Sequence, residues 1–238
     1  MSLQRPDIII FDMDGTIVRH VNPRMLNLLE RVDDSLHFLG RILRFFRWRG
    51  RWKKIEESAL IDLRENKPRR LLTHKVLHSL RRKPVEEIVE PCPGIEAVLI
   101  YLKSQNIRCG LFSNGLGKGY GHDILEKFNL LQFFDATLFR EDVTHAKPSA
   151  EPILRIINKV QPNLGETDII WCVGDRHKDV TACLAAQSHL QNSIQPLSYG
   201  LNAAVALLKK GIHTDHILIS YEDMLEKLQN LIKTGKAL

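Results

Sequence analysis

No two cysteines in this sequence stand in C-x-x-C spacing. Only four are present, Cys92, Cys109, Cys172 and Cys183, so a zinc or thiol-redox motif is unsupported. Cys109 and Cys172 fall in apolar runs and read as buried thiols, which fits a reducing, cytoplasmic compartment. A long apolar run is also missing. Asp7 interrupts the N-terminus early, so no secretory leader is expected. The longest apolar helical pattern, Leu36 to Phe46, is broken by Arg41 and Arg44 and is too short and too charged to span a bilayer. Repeats and low-complexity tracts are lacking as well. His74 and His78 have the i, i+4 spacing of a metal-binding pair, but no third ligand accompanies them.

One stretch lacks acid altogether. Residues 41–54, RILRFFRWRGRWKK, carry seven Arg and Lys and no Asp or Glu, with Phe45, Phe46, Trp48 and Trp52 among them. Taken alone, this composition suits nucleic acid or an anionic membrane surface. The excess is local. Residues 41–83 hold 15 Lys+Arg against 4 Asp+Glu, and the remainder holds 19 against 24. Lys and Arg stems can also lie over apolar surface with their heads in water, so a basic helical block needs no ligand. Apolar residues at 44% and charged residues at 26% are ordinary for a globular chain.

Short apolar runs at 7–11, 107–112, 168–173 and 216–220 read as strands, three of them buried parallel ones. Helical patterns lie between them. Strands alternating with helices argue for an α/β fold, a doubly wound parallel sheet with helices on both faces. Residues 18–90 break that rhythm. Leu26, Leu29, Val32, Leu36, Leu39 and Leu43 recur at helical spacing, followed by further helical patterns up to Leu80. The reading is an all-α cap domain at 18–90, inserted into a core of 1–17 and 91–238. Pro91-Cys92-Pro93 marks the return to that core.

The first strand runs directly into Asp12-Met13-Asp14-Gly15-Thr16. Two carboxylates two residues apart, at the carboxyl end of a parallel strand, stand where open α/β sheets bind ligands. A bare D-x-D also fits a solvated loop. Three further features decide between them. Ser113-Asn114-Gly115 closes the second run, Asp175 closes the third with Asp179 four residues on, and Lys147-Pro148 opens a helix between them. A hydroxyl, a lysine and four acids thus meet at one sheet edge. Clustered acids repel unless a cation joins them, and hard oxygen ligands favour Mg²⁺, which often meets phosphate oxygens. The lysine and the hydroxyl then suit a phosphoryl group.

FDMDGT, the Ser of FSNG, the Lys of AKPSAEP and GDRHKD, in that order, resemble the four motifs of the haloacid dehalogenase superfamily. The insert between the first two motifs resembles the helical-cap subfamily that includes phosphoglycolate phosphatases. The resemblance implies Mg²⁺-dependent hydrolysis of a small phosphate monoester. Asp12 would be the nucleophile that forms an aspartyl-phosphate. Asp14 would be the general acid for the leaving alcohol and then the base for water. Lys147 would pair with Asp12 and the phosphoryl group. Ser113 would donate to a phosphoryl oxygen, and Thr16, Asn114 and Gly115 would bind substrate beside it. Asp12, the backbone carbonyl of Asp14, Asp175 and Asp179 would hold the metal. His20 and Arg24, near the hinge of the insert, are candidates to touch substrate. Relatives usually show Asp-Ser where this chain has Arg19-His20. The segment after Asp179 also lacks the glycine usual after paired alanines and a clear following strand. Two alternatives stay open: a phosphomutase of the same family, or a nucleic-acid or membrane-surface binding protein that uses the basic insert.

Overall fold

The computed structural model describes residues 3–21 and 88–234. The chain divides into two units, Met1–His20 with Val85–Leu238, and Val21–Pro84. Nearly everything described belongs to the first. The expected helical cap, the basic stretch 41–54 with any nucleic-acid or membrane partner it has, the His74/His78 pair and Arg24 lie outside the described residues.

Six strands form one parallel sheet. In chain order they are β1 (Ile8–Phe11), β4 (Arg108–Phe112), β5 (Ala136–Leu138), β6 (Ile170–Gly174), β7 (Ile194–Tyr199) and β8 (Ile217–Leu218). In space the order is β5-β4-β1-β6-β7-β8, with every pairing parallel. Chain direction across the sheet therefore reverses at β1, and open sheets bind ligands beyond the strand ends at such a point. Among the described residues the α-helices are α1 (Ile95–Ser104), α2 (His122–Lys127), α3 (Glu151–Val160), α4 (His177–Gln187), α5 (Leu201–Lys209) and α6 (Tyr221–Thr234).

The four residues of β1 are all buried because helices cover both faces of the sheet. Side chains alternate along a strand. Ile9 and Phe11 join the core with Val98 and Leu102 of α1 and Leu228 of α6. Ile8 and Ile10 join the opposite core with Ile153 and Ile156 of α3 and Cys183 of α4. A strand buried on both sides reads as a continuous apolar run, which is why IIIF is so legible. Register does the rest. Phe11 stands level with Leu111 on one side and Val173 on the other, so Asp12 emerges level with the last residues of β4 and β6.

Several elements differ from the sequence reading. The helical expectation for 18–90 fails at its two ends, where β2 (Val18–His20) pairs antiparallel with β3 (Val89–Pro91). The segment after Asp179 does lead into a regular strand, β7. Its Pro196 obscured it, since proline has no N–H for a ladder. On the outer side of β7, β8 pairs only with Ser198 and Tyr199. The Pro196 carbonyl faces that side and accepts from His216 Nδ1 at 3.0 Å. The proline nitrogen faces the same way, so no strand bond is lost. His216 itself belongs to a short 3₁₀ turn, so the run expected as a strand at 216–220 contracts to two residues.

Candidate active site

Lys147 stands just before α3 and is 5% exposed. A lysine at such depth keeps its charge only with partners. Its ammonium donates to Asp12 Oδ1, to the Phe112 carbonyl at 3.2 Å, and pairs with Asp179 Oδ1 at 2.6 Å. Burial pulls the ammonium toward neutrality, but the two carboxylates outweigh it and hold its pKa above the ordinary lysine value. The Lys147 backbone is fixed as firmly. Asn114 accepts from the Lys147 N–H at 3.0 Å through Oδ1 and donates to its carbonyl at 3.0 Å through Nδ2.

Carboxylate oxygens of Asp12, Asp175 and Asp179 all lie within 4.8 Å of one another. Three acids thus face one ammonium. Burial pushes the Asp12 carboxyl up to about 8; Lys147 pulls it down, and Asp179 adds to the rise. Asp175 is pushed up to about 6, again chiefly by burial, with Arg176 opposing and Asp179 adding. Asp175 Oδ1 is buried without a hydrogen-bond partner. An orphaned buried carboxylate oxygen inside an acid cluster fits a hard divalent cation such as Mg²⁺. Asp179 is already engaged at both oxygens, Oδ1 by Lys147 and Oδ2 by the Arg176 N–H at 2.9 Å at the start of α4. Gly15 makes the close approach possible. Its φ is +88°, and a Cβ there would stand 2.3 Å from Asp175 Oδ2, so only glycine fits.

The Asp14 side chain lies outside this cluster. Its Oδ2 accepts from Ser113 Oγ at 3.2 Å, and its Oδ1 accepts from the Tyr120 hydroxyl at 2.6 Å. Ser113 Oγ in turn accepts from the Gly115 N–H at 2.9 Å. Two carboxylates two residues apart therefore have opposite surroundings: Asp12 has an ammonium and further acids, Asp14 has hydroxyls.

A family model for haloacid dehalogenase-like hydrolases matches residues 6–187, a span that contains every group just described. The chain belongs to the haloacid dehalogenase-like hydrolases. It is 25% identical over 240 residues to a phosphoglycolate phosphatase of Nitrosococcus oceani, covering 97% of this chain and 98% of that one. Pyrophosphatase PpaX of Oceanobacillus iheyensis is 25% identical over 224 residues, covering 91% and 94%. A solved structure from Thermotoga maritima, with a provisional beta-phosphoglucomutase assignment, has a TM-score of 0.60 at 23% identity over 94% of this chain and 99% of that one. That likeness bears on the fold.

The hydrolase brings together Asp12, Asp14, Ser113, Gly115, Lys147, Asp175 and Asp179. Asn114, expected to bind substrate, has its amide on the Lys147 backbone. Thr16 is buried, its carbonyl accepting from the Tyr221 hydroxyl at 2.7 Å and its own hydroxyl without a hydrogen-bond partner. His20 ends β2 with Nε2 3.5 Å from the Tyr120 hydroxyl. Tyr120 escaped the sequence reading. The signal was the stretch GLGKGYG at 115–121, in which a single aromatic stands among glycines directly after Ser113-Asn114.

Proposed function

We propose that this hydrolase is a phosphatase that cleaves small phosphate monoesters of the phosphoglycolate class, with Mg²⁺ at the acid cluster. The observation that carries the reading is the division of Asp12 from Asp14. Asp12 faces Lys147 and two further acids, as a carboxylate nucleophile requires. It must be ionised to attack phosphorus, and burial alone opposes that. Lys147 supplies part of the missing positive charge. Asp12 and Asp175 would hold the cation, with Asp179 oriented beside them, and bound Mg²⁺ would supply the rest of the charge that the nucleophile and the phosphoryl oxygens need. Ser113 Oγ and Lys147 Nζ donate to the phosphoryl oxygens. Asp14 gives a proton to the leaving oxygen and then takes one from the water that cleaves the aspartyl-phosphate. The identity of two curated relatives as phosphatases supports this chemistry and suggests 2-phosphoglycolate as a first substrate.

The test is release of inorganic phosphate from p-nitrophenyl phosphate and 2-phosphoglycolate. Turnover should stop with EDTA and return with Mg²⁺. Asp12→Asn should reduce it to background while the circular dichroism spectrum stays unchanged. Activity in Asp12→Asn, or turnover indifferent to EDTA, would refute the mechanism. Isomerisation of a sugar phosphate without net phosphate release would point instead to a mutase.

A further inference from the structure

Tyr120 belongs to none of the motifs read from the sequence, yet its ring is buried and its hydroxyl makes the shorter of the two bonds to Asp14. The turn that carries it, Gly117–Gly121, is built for the purpose. Gly117 and Gly121 press against the Phe139 ring, so closely that a Cβ at either would fall within 3 Å of it. Glu141 accepts from the Gly117 and Lys118 N–H groups at 2.9 and 3.0 Å. A buried aromatic and a carboxylate thus hold one phenol against one oxygen of Asp14.

Proton counting shows what that bond does. A tyrosine hydroxyl has one proton to give, and here it goes to Asp14 Oδ1. The oxygen's lone pair is left facing His20 Nε2 at the outer edge of hydrogen-bond range. Ser113 also has one proton, now on Asp14 Oδ2, but Ser113 is the donor placed for the phosphoryl group. Once it turns to substrate, Oδ2 is released and Oδ1 is not. A proton carried by Asp14 must then reside on Oδ2, because Oδ1 is already occupied by a donor.

We infer that Tyr120 is a positioning residue for the leaving-group step: its hydroxyl pins Oδ1 of Asp14, leaves the transferable proton on Oδ2, and is itself steadied by His20 at the end of β2. The inference rests on the reading of Asp14 as the acid. As the bond from Asp12 to phosphorus forms, the ester P–O bond breaks, its electron pair goes to the leaving oxygen, and the Oδ2 proton follows it there. A misoriented Asp14 slows this step in proportion to how much the leaving oxygen needs the proton.

The experiment compares kcat/KM for p-nitrophenyl phosphate, whose leaving phenolate is stable, with phenyl phosphate, whose leaving group is far more basic. Tyr120→Phe should cost about tenfold or more on phenyl phosphate and less than about threefold on the nitrophenyl ester, since correct orientation matters most where proton transfer matters most. Adding Tyr120→Phe to Asp14→Asn should produce no further change in that selectivity, because the phenol acts through the carboxyl. Equal losses on both esters, no loss on either, or an additive double mutant would overturn the inference. If Asp14→Asn alone shows no leaving-group selectivity, the reading of the acid fails and the inference falls with it. A thermal melt of Tyr120→Phe checks that the fold is retained.

Discussion

Lys147 stands between Asp12 and Asp179, and its removal would leave both carboxylates buried and facing one another. Breaking a buried ion pair by deleting one partner costs about 3–5 kcal/mol, because the remaining charge is uncompensated. Lys147→Met keeps the stem and removes the charge. In metal-free protein above about pH 8, where the Asp12 carboxyl is ionised, it should lower urea stability by about that amount, and Mg²⁺ should recover part of the loss by replacing the missing positive charge. Phosphatase activity should not return, because in the proposed mechanism the ammonium also donates toward the phosphoryl group. A variant as stable as the wild type without metal would show that the acids are already neutral in the folded protein.

At the scale of elements, the turn that carries Tyr120 gives the sharpest prediction. A Cβ on Gly121 would stand 2.1 Å from Phe139 Cε1, so Gly121→Ala must move the ring or the turn. Overpacking of this kind costs about 1–3 kcal/mol. Chemical denaturation should show that loss, and kcat/KM should fall more on phenyl phosphate than on p-nitrophenyl phosphate as Tyr120 shifts. The elements that sequence reasoning found and missed differ in a physical way. IIIF, RCGLF and IWCVG are covered on both faces and read as apolar runs, so β1, β4 and β6 were legible together with the acids, serine and lysine at their ends. β7, IQPLSY, is interrupted by Gln195, Pro196 and Ser198, and the polar atoms of the first two are met by partners distant in sequence. Gln195, for example, accepts from the Gln4 N–H at 3.1 Å. Helix α5 was missed because its exposed Leu201, Val205 and Leu208 blur the one-sided pattern that marks a helix. Tyr120 was missed because its importance lies in a contact with Asp14, 106 residues away, and no local pattern records it. The ribbon β2–β3 was missed for the same reason, its two strands lying some seventy residues apart in the chain, as the Arg19–Glu90 pair within it shows.

For the molecule as a whole, the acid cluster links folding to pH and metal. In the metal-free protein burial holds the carboxyls of Asp12 and Asp175 up at about 8 and about 6, from an ordinary value of 3.8. Between these values the folded chain binds more protons than the unfolded one. Stability then falls as pH rises, because it follows the difference in bound protons. Lys147, held above its ordinary value of 10.5, stays charged in both states across this window and adds no slope. Glu141 and Glu151, held below 4.5 in spite of some desolvation by the backbone N–H groups they accept from, titrate beneath it. The melting temperature after EDTA treatment should therefore decline by a few degrees between about pH 5 and pH 8. On the proposed reading Mg²⁺ would bind the ionised carboxylates and compete with protons for them. It should raise the melting temperature strongly at pH 8 and little at pH 5, flattening the profile. A metal-free profile that rises with pH, or a Mg²⁺ increment equal at both ends, would mean that these acids are not held up by burial and that the cation binds elsewhere. Asp175→Asn separates the two groups. It removes the lower of the two titrations, so the decline below about pH 6 should become shallower while that between about pH 6 and pH 8 persists through Asp12, and the Mg²⁺ increment should shrink because the orphaned Oδ1 belongs to an uncharged amide.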